Sequence, residues 1–247
     1  MGTKVNSKGG FEDDLIVYHN ALVTDLMLVA SLIKNIKLES SFADMKGSAN
    51  TDSANTDQAA APTNGTAVAA AAAVSTTWTH GTITQPDVAR NLCITIENPT
   101  GGPLNLFEGA MAFVVTGTLN GVAQTETITL TSTAGNKAVV AAKFRYLYGS
   151  KPFSTVTDIT LVNVPDDALT IAAGLGSKIH IPNVLQTPDE ADILKATVSA
   201  ADYDVTSKVD TTNNTLNVGA IADNADVQIV YLSNGTSVIA SGYLEKA

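Results

Sequence analysis

The run AFVVTGTL (Ala112–Leu119), followed by Asn120-Gly121 and then by TETITL (125–130), decides the fold class of this chain. Apolar and polar residues alternate on both sides of a dipeptide that tolerates positive φ. That pattern predicts an antiparallel hairpin closed by a tight turn. The alternation recurs in 92–96 (LCITI), 138–144 and 156–164 (VTDITLVNV). Turn material bounds each run: NPTGGP at 98–103, AGN at 134–136 and Pro165 to Asp167. Short strands at this spacing predict a mainly β body, an antiparallel β-sandwich or jelly roll spanning 78–185. Its last turn and strand are read in GLGSKIHIP (174–182).

On the C-terminal side, QTPDE (186–190) reads as a joint before a small β subdomain over 186–247. Strands are expected there at 193–198, 203–205, 215–218, 227–232 and 238–244. Turns are expected at 210–214 and at Asn234-Gly235. This part holds nine acidic and three basic side chains, so it carries most of the chain's net charge.

On the N-terminal side, residues 46–77 form a low-complexity stretch in which SANTD occurs twice, at 48–52 and 53–57. Few large apolar side chains are present to offset chain entropy, so an extended linker is expected. Residues 1–45 are read as an arm and an α-helix over 12–38, with Asp13 or Asp14 as its cap. Leu15, Tyr18, Leu22, Leu26, Val29, Ile33 and Ile36 give one apolar stripe at spacings of three and four. Ile16, Val23, Met27 and Ala30 give a second. Leaving that second stripe in water would forfeit about 1.5–3 kcal/mol for each large side chain. The helix is therefore either sunk within its own chain or docked on neighbouring subunits.

The bulk numbers exclude several function classes. The net charge is −10, with 24 acidic against 14 basic side chains over 247 residues. Such a sum repels free nucleic acid, whose phosphates need clustered Lys and Arg. One stretch departs from this: Lys137, Lys143, Arg145 and Lys151 interleave with Phe144, Tyr146 and Tyr148. Strand alternation accounts for that pattern, and no nucleic-acid partner is expected. A membrane partner is not expected either, since the most apolar stretch, 21–33, is short and carries Asp25. The first ten residues have no apolar core of a signal peptide. A single cysteine, Cys93, excludes an intrachain disulfide framework.

Motifs that carry chemistry are scarce. His19, His80 and His180 stand in separate segments with no partner at ligand spacing, so no metal site and no cofactor are expected. His180 alternates with Ile179 and Ile181 and reads as a strand-surface residue. Cys93 sits inside LCITI as a small hydrophobe. Gly101-Gly102 and Gly174-Leu175-Gly176 lack the strand–loop–helix setting of a phosphate cradle. The carboxylate pairs Asp13-Asp14, Asp166-Asp167, Asp189-Glu190 and Asp223/Asp226 fall at expected helix starts or turns, where Asp is favoured for its backbone hydrogen bonds. Among these, Asp223 and Asp226 suit a calcium ion best. The expectation is a non-enzymatic protein.

The segment ITQPDVARNLCIT (83–95) resembles a phrase of tailed-bacteriophage virion structural proteins, QPDVPRN followed by alternating strands, with Ala89 here in place of proline. Residues 157–171 and GLGSKIHIP (174–182) resemble the later part of the same domain. LKATV (194–198), the 210–214 turn and DVQIVY (226–231) resemble its close. The likeness covers about 83–232 and leaves out the helix and linker. It implies a capsid decoration or cement protein, or a head fibre, on the capsid exterior. Its partners would be the major capsid protein and copies of itself, up to a trimer. Leu15, Tyr18, Leu22, Leu26, Val29, Ile33 and Trp78 would then anchor the assembly interface. Alternatives are a tail or fibre component, or a glycan-binding adhesion module with aromatic residues gathered in strand-end loops. A β-sandwich hydrolase would need converging carboxylates.

Overall fold

A computed structural model of the chain describes residues 37–41, 45–46, 57–58, 61–74, 77–99, 104–105, 111–130, 138–139, 144–163, 169–185, 192–240 and 243–246. Among these the chain is mainly β, with no α-helix, and every strand pairing is antiparallel. In chain order the first strands are β1 (Lys37–Ser41), β2 (Asp57–Gln58), β3 (Ala69–Ala73), β4 (Arg90–Glu97), β5 (Leu104–Asn105) and β6 (Ala112–Leu119). Next come β7 (Val122–Thr129), β8 (Ala138–Val139), β9 (Phe144–Tyr148), β10 (Thr155–Val162), β11 (Thr170–His180) and β12 (Asn183–Leu185). The last are β13 (Ile193–Val198), β14 (Ala201–Asp202), β15 (Val209–Asp210), β16 (Thr215–Asn217), β17 (Val227–Ala240) and β18 (Tyr243–Lys246).

The hairpin read from the sequence is present. Asn120 and Gly121 take φ values of 50° and 84° and join β6 to β7 in full register. Every second residue of β7 from Gln124 to Ile128 turns inward, as period-two patterning requires. With β10 these strands make a three-stranded sheet, β10-β6-β7. A seven-stranded sheet runs β15-β16-β11-β4-β9-β2, with β3 also paired to β11. One apolar core draws on both sheets: Leu92, Ile94 and Ile96 of β4 and Ile171 of β11 on one side, Phe113 of β6 and Ile159 of β10 on the other.

β3 lies within the stretch expected as linker. It pairs with β11, and Val68, Ala69 and Val74 join the core. Its backbone groups are satisfied by the neighbouring strand, which an all-alanine run can exploit without any hydrophobic periodicity to announce it. The expected helix lies outside the described residues, except that Lys37 and Leu38 belong to β1. Of the predicted run 138–144, Ala138 and Val139 form β8 and Phe144 opens β9, which continues to Tyr148; 140–143 lie outside the described residues.

A six-stranded sheet, β1-β17-β13-β14 with β12 and β18 also on β17, builds a second core. Its buried side chains include Ile193, Val227, Ile229 and Tyr231, together with Met45 and Leu216. The predicted turn at Asn234-Gly235 is instead part of β17. The strand runs through because partners hold both its edges: Ser233 faces Lys37 and Leu185, and Ser237 faces Asn183 and Glu245.

The two cores share β11. Its register with β4 breaks between Leu175 and Ile179. Ile171, Ala173 and Leu175 enter the first core; Ile179 and then Ile181 enter the second. The joint expected at 186–190 lies outside the described residues, but the cores part earlier, within this strand.

Candidate functional site

At the break in β11 the chain packs polar groups where a continuous strand pair would pack methyls. Arg90 is 0% exposed. Its Nε donates to the Gly176 carbonyl at 2.9 Å, and its Nη1 donates to the Lys46 carbonyl and to both Asp87 oxygens at 3.0–3.2 Å. Asp87 in turn accepts the Lys46 backbone N–H at 2.6 Å. Burial pulls the Arg90 pKa below its usual value, against the Asp87 charge, which raises it. Asn91 crosses the same gap: its Nδ2 donates to the Gly149 carbonyl and its Oδ1 accepts the Lys178 N–H. A Cβ at Gly176 would run into the Asn91 amide, so only glycine leaves room for this clamp. Ser177 Oγ meets Asn217 Oδ1 at 2.9 Å. The joint is polar, with Arg90, Asn91 and Ser177 buried and with Asp87 and Lys46 at its exposed rim, which suits holding two cores together.

A second device guards the free edge of β10. The Gln85 amide binds the backbone of Val156 on both counts, donating to its carbonyl at 3.0 Å and accepting its N–H at 2.7 Å. A side-chain amide thus takes the place of one residue of a neighbouring strand. Farther along, His80 Nε2 pairs with Asp158 at 2.9 Å. Partial burial lowers the His80 pKa, but the Asp158 hydrogen bond, the Gly81 carbonyl and the Asp158 charge together hold it above the usual value. Unpaired edges invite other strands, so this covering matters for solubility.

The opposite face of the large sheet carries a cleft of about 390 Å³. Its floor is a patch of β4, β9 and β11: Glu97 stands opposite Phe144 on one side and Thr170 on the other, and Thr95 stands opposite Ala172. Its wall is the turn at 61–66, closed by Gly65 N–H to the Pro62 carbonyl at 2.9 Å. Asn64 takes φ 51° and fastens the turn to the second core's end of the molecule by donating to Asp223 Oδ1 at 2.7 Å. Gly174 permits this seat, since a Cβ there would strike the Asn64 carbonyl and the Gly65 backbone. Next along the same face of β4, Cys93 is buried and its thiol is pushed up to about 12 by that burial, with Tyr148 and Thr95 opposing. It therefore stays protonated and is no nucleophile near neutral pH.

The residues singled out from the sequence are scattered. Leu15, Tyr18, Leu22, Leu26, Val29, Ile33 and His19 lie outside the described residues. Trp78 is 6% exposed and packs edge-on against Phe113 at 6.1 Å in its own chain's core, so its ring is not on offer to a partner. His180 is not a strand-surface residue: it is 2% exposed, and burial pushes its pKa down to about 4 although the Asn214 carbonyl favours the charged form. β11 is covered on both faces at its second half, which alternation alone does not reveal. Arg145 of the basic stretch is buried, and Lys151 Nζ donates to the Thr125 carbonyl. Among the described residues no three His, Cys, Asp or Glu lie close enough to hold a metal ion. No helix among them is long and apolar enough to cross a membrane. Reading by motif missed Gln85, Asp87, Arg90, Asn91 and the Glu97–Phe144 pair. For the last, one signal was present: Cys93, Thr95 and Glu97 occupy the face of β4 opposite to Leu92, Ile94 and Ile96. Comparison with protein-family models, with curated proteins and with solved structures finds no match to this chain.

Proposed function

We propose that the chain is a structural protein of a tailed-bacteriophage particle, a capsid decoration or cement protein that bridges neighbouring capsid subunits from outside. On this reading the two facing sheets are a β-sandwich body, and the helix and first part of the linker reach across neighbours. Bridging works by summation. One copy touching several subunits dissociates only when many contacts break together. The observation that carries the reading is where the phage-like phrases fall. ITQPDVARNLCIT supplies Gln85 on the β10 edge, the Asp87–Arg90–Asn91 clamp and strand β4. GLGSKIHIP supplies the shared half of β11. Those words are the ones that knit the two cores together, so a resemblance there touches the architecture and not a surface decoration of it.

The test is direct. The full chain is mixed with purified heads of the phage that encodes it, stripped of the same protein, and pelleted. Binding at a fixed stoichiometry with raised resistance of the heads to heat is the expected result. Recovery with tails alone, or with neither, overturns the decoration reading.

A further inference from the structure

The cleft on the outer face of the large sheet holds a carboxylate with nothing to do. The Glu97 side chain is half-buried and, among the described residues, has no hydrogen-bond or ion-pair partner. Among the described residues it is the only formally charged side chain lining the cleft. Leaving a carboxylate partly desolvated and unpaired costs free energy, so its retention asks for a partner. Phe144 stands directly across the strand pair from it, on the same face. Side chains so placed have Cβ atoms roughly 4.5–5.5 Å apart. A group that enters beside Glu97 therefore meets the ring as well.

A carboxylate and an aromatic ring side by side are complementary to a cation. The carboxylate accepts charge-assisted hydrogen bonds, about twice as strong as neutral ones, and the ring face attracts positive charge. A planar guanidinium satisfies both at once, forking onto the carboxylate while lying against the ring. The rest of the cleft fits the stem that carries it. Ala61, Ala71 and Ala172 give a narrow apolar slot for methylenes. At the floor Thr95 is 5% exposed and its buried hydroxyl oxygen has only the weak Cys93 thiol beside it. The chain's charge of −10 favours approach of a basic partner.

The geometry points to this cleft as a receptor for one basic side chain, arginine above all, presented by a partner polypeptide. The partner's place in a phage head rests on the function proposed above; the cation selectivity does not. The probe is N-acetyl-L-arginine amide, titrated into the isotopically labelled full chain and followed by NMR. Saturable shifts at Thr95, Glu97, Phe144 and Thr170 are expected. Binding weakens at least tenfold in Glu97→Gln, weakens several-fold in Phe144→Leu, and falls as salt is raised. N-acetyl-L-glutamine amide leaves the spectrum unmoved. The unchanged hairpin signals of Asn120 and Gly121 show that each variant is folded. Arginine amide that shifts nothing overturns the proposal, as does binding equal in Glu97→Gln. Shifts produced by methyl glucoside and not by arginine amide overturn it too, and make the cleft a polyol site. A chain that binds arginine amide yet never joins phage heads keeps its cation receptor and loses only the head as partner.

Discussion

The two cores are made from the same kind of residue but by different routes along the chain. Part of the first is local: β6 and β7 follow one another, the turn at Asn120-Gly121 sets their register, and β10 returns after β8 and β9 to pair with β6. The second closes over long distances, pairing β1 at 37–41 with β17 at 229–233 and Met45 with Ala225. Bringing such distant segments together costs chain entropy before any contact is made, and long-range pairing slows folding. The first core is therefore suited to nucleate the fold, and the second to lock it. The lock is also the part that carries a buried titratable imidazole.

That contrast can be broken most forcefully in the cores themselves. Phe113→Ala should cost about 3–5 kcal/mol and Ile229→Ala about 2–5 kcal/mol in urea unfolding. In refolding kinetics Phe113→Ala should slow folding, whereas Ile229→Ala should mainly speed unfolding. Equal effects on the folding rate would erase the distinction.

The joint comes next. Arg90→Ala leaves the Gly176 carbonyl without its buried donor and removes the partner of Asp87 and of the Lys46 carbonyl at the exposed rim, with an expected loss of roughly 2 kcal/mol. Replacing Asp87 and Arg90 together with Asn and Met should recover part of it. Two separate unfolding transitions in either variant would show that this clamp couples the cores.

Acid sharpens the comparison by weakening the lock. His180 takes up its proton near pH 4 when folded and near 6.5 when unfolded, so between those values the unfolded chain binds more protons. Its contribution is complete above pH 6.5, falls as pH drops toward 4, and is flat below; the span is about 3 kcal/mol. His180→Gln should flatten that slope in unfolding measured from pH 7 to 4. His80 acts in the opposite sense: its raised pKa stabilises below 6.5, and that gain fades as pH climbs through the folded value.

The smallest effect is at the guarded edge. Gln85→Ala uncovers both backbone groups of Val156, at a cost of about 1 kcal/mol. It should also bring concentration-dependent association, visible by light scattering at unchanged fold.

How much of this was legible in the sequence depends on which residues carried the signal. Asn120-Gly121 between alternating runs declared its hairpin because positive φ and period two are both written in local residue types. β3 was hidden because five alanines have no period, and only its partner β11 makes it a strand. Asn234-Gly235 misled for the converse reason: its permissive backbone allows a turn, but strands on both edges of β17 favour extension. The joint was illegible because Asp87, Arg90 and Asn91 act through backbone groups of Lys46, Gly149, Gly176 and Lys178, and nothing local marks a backbone group as a ligand. The Glu97–Phe144 pair needed the β4–β9 register before its two halves could be seen together.

The run of β11 through both cores bears on heredity as well as stability. A recombination event that transplanted residues 192–247 into another gene would leave Ile179, Ile181 and Leu185 behind. The C-terminal region is thus no portable cassette, and lineages that exchange gene segments should be found trading this body whole.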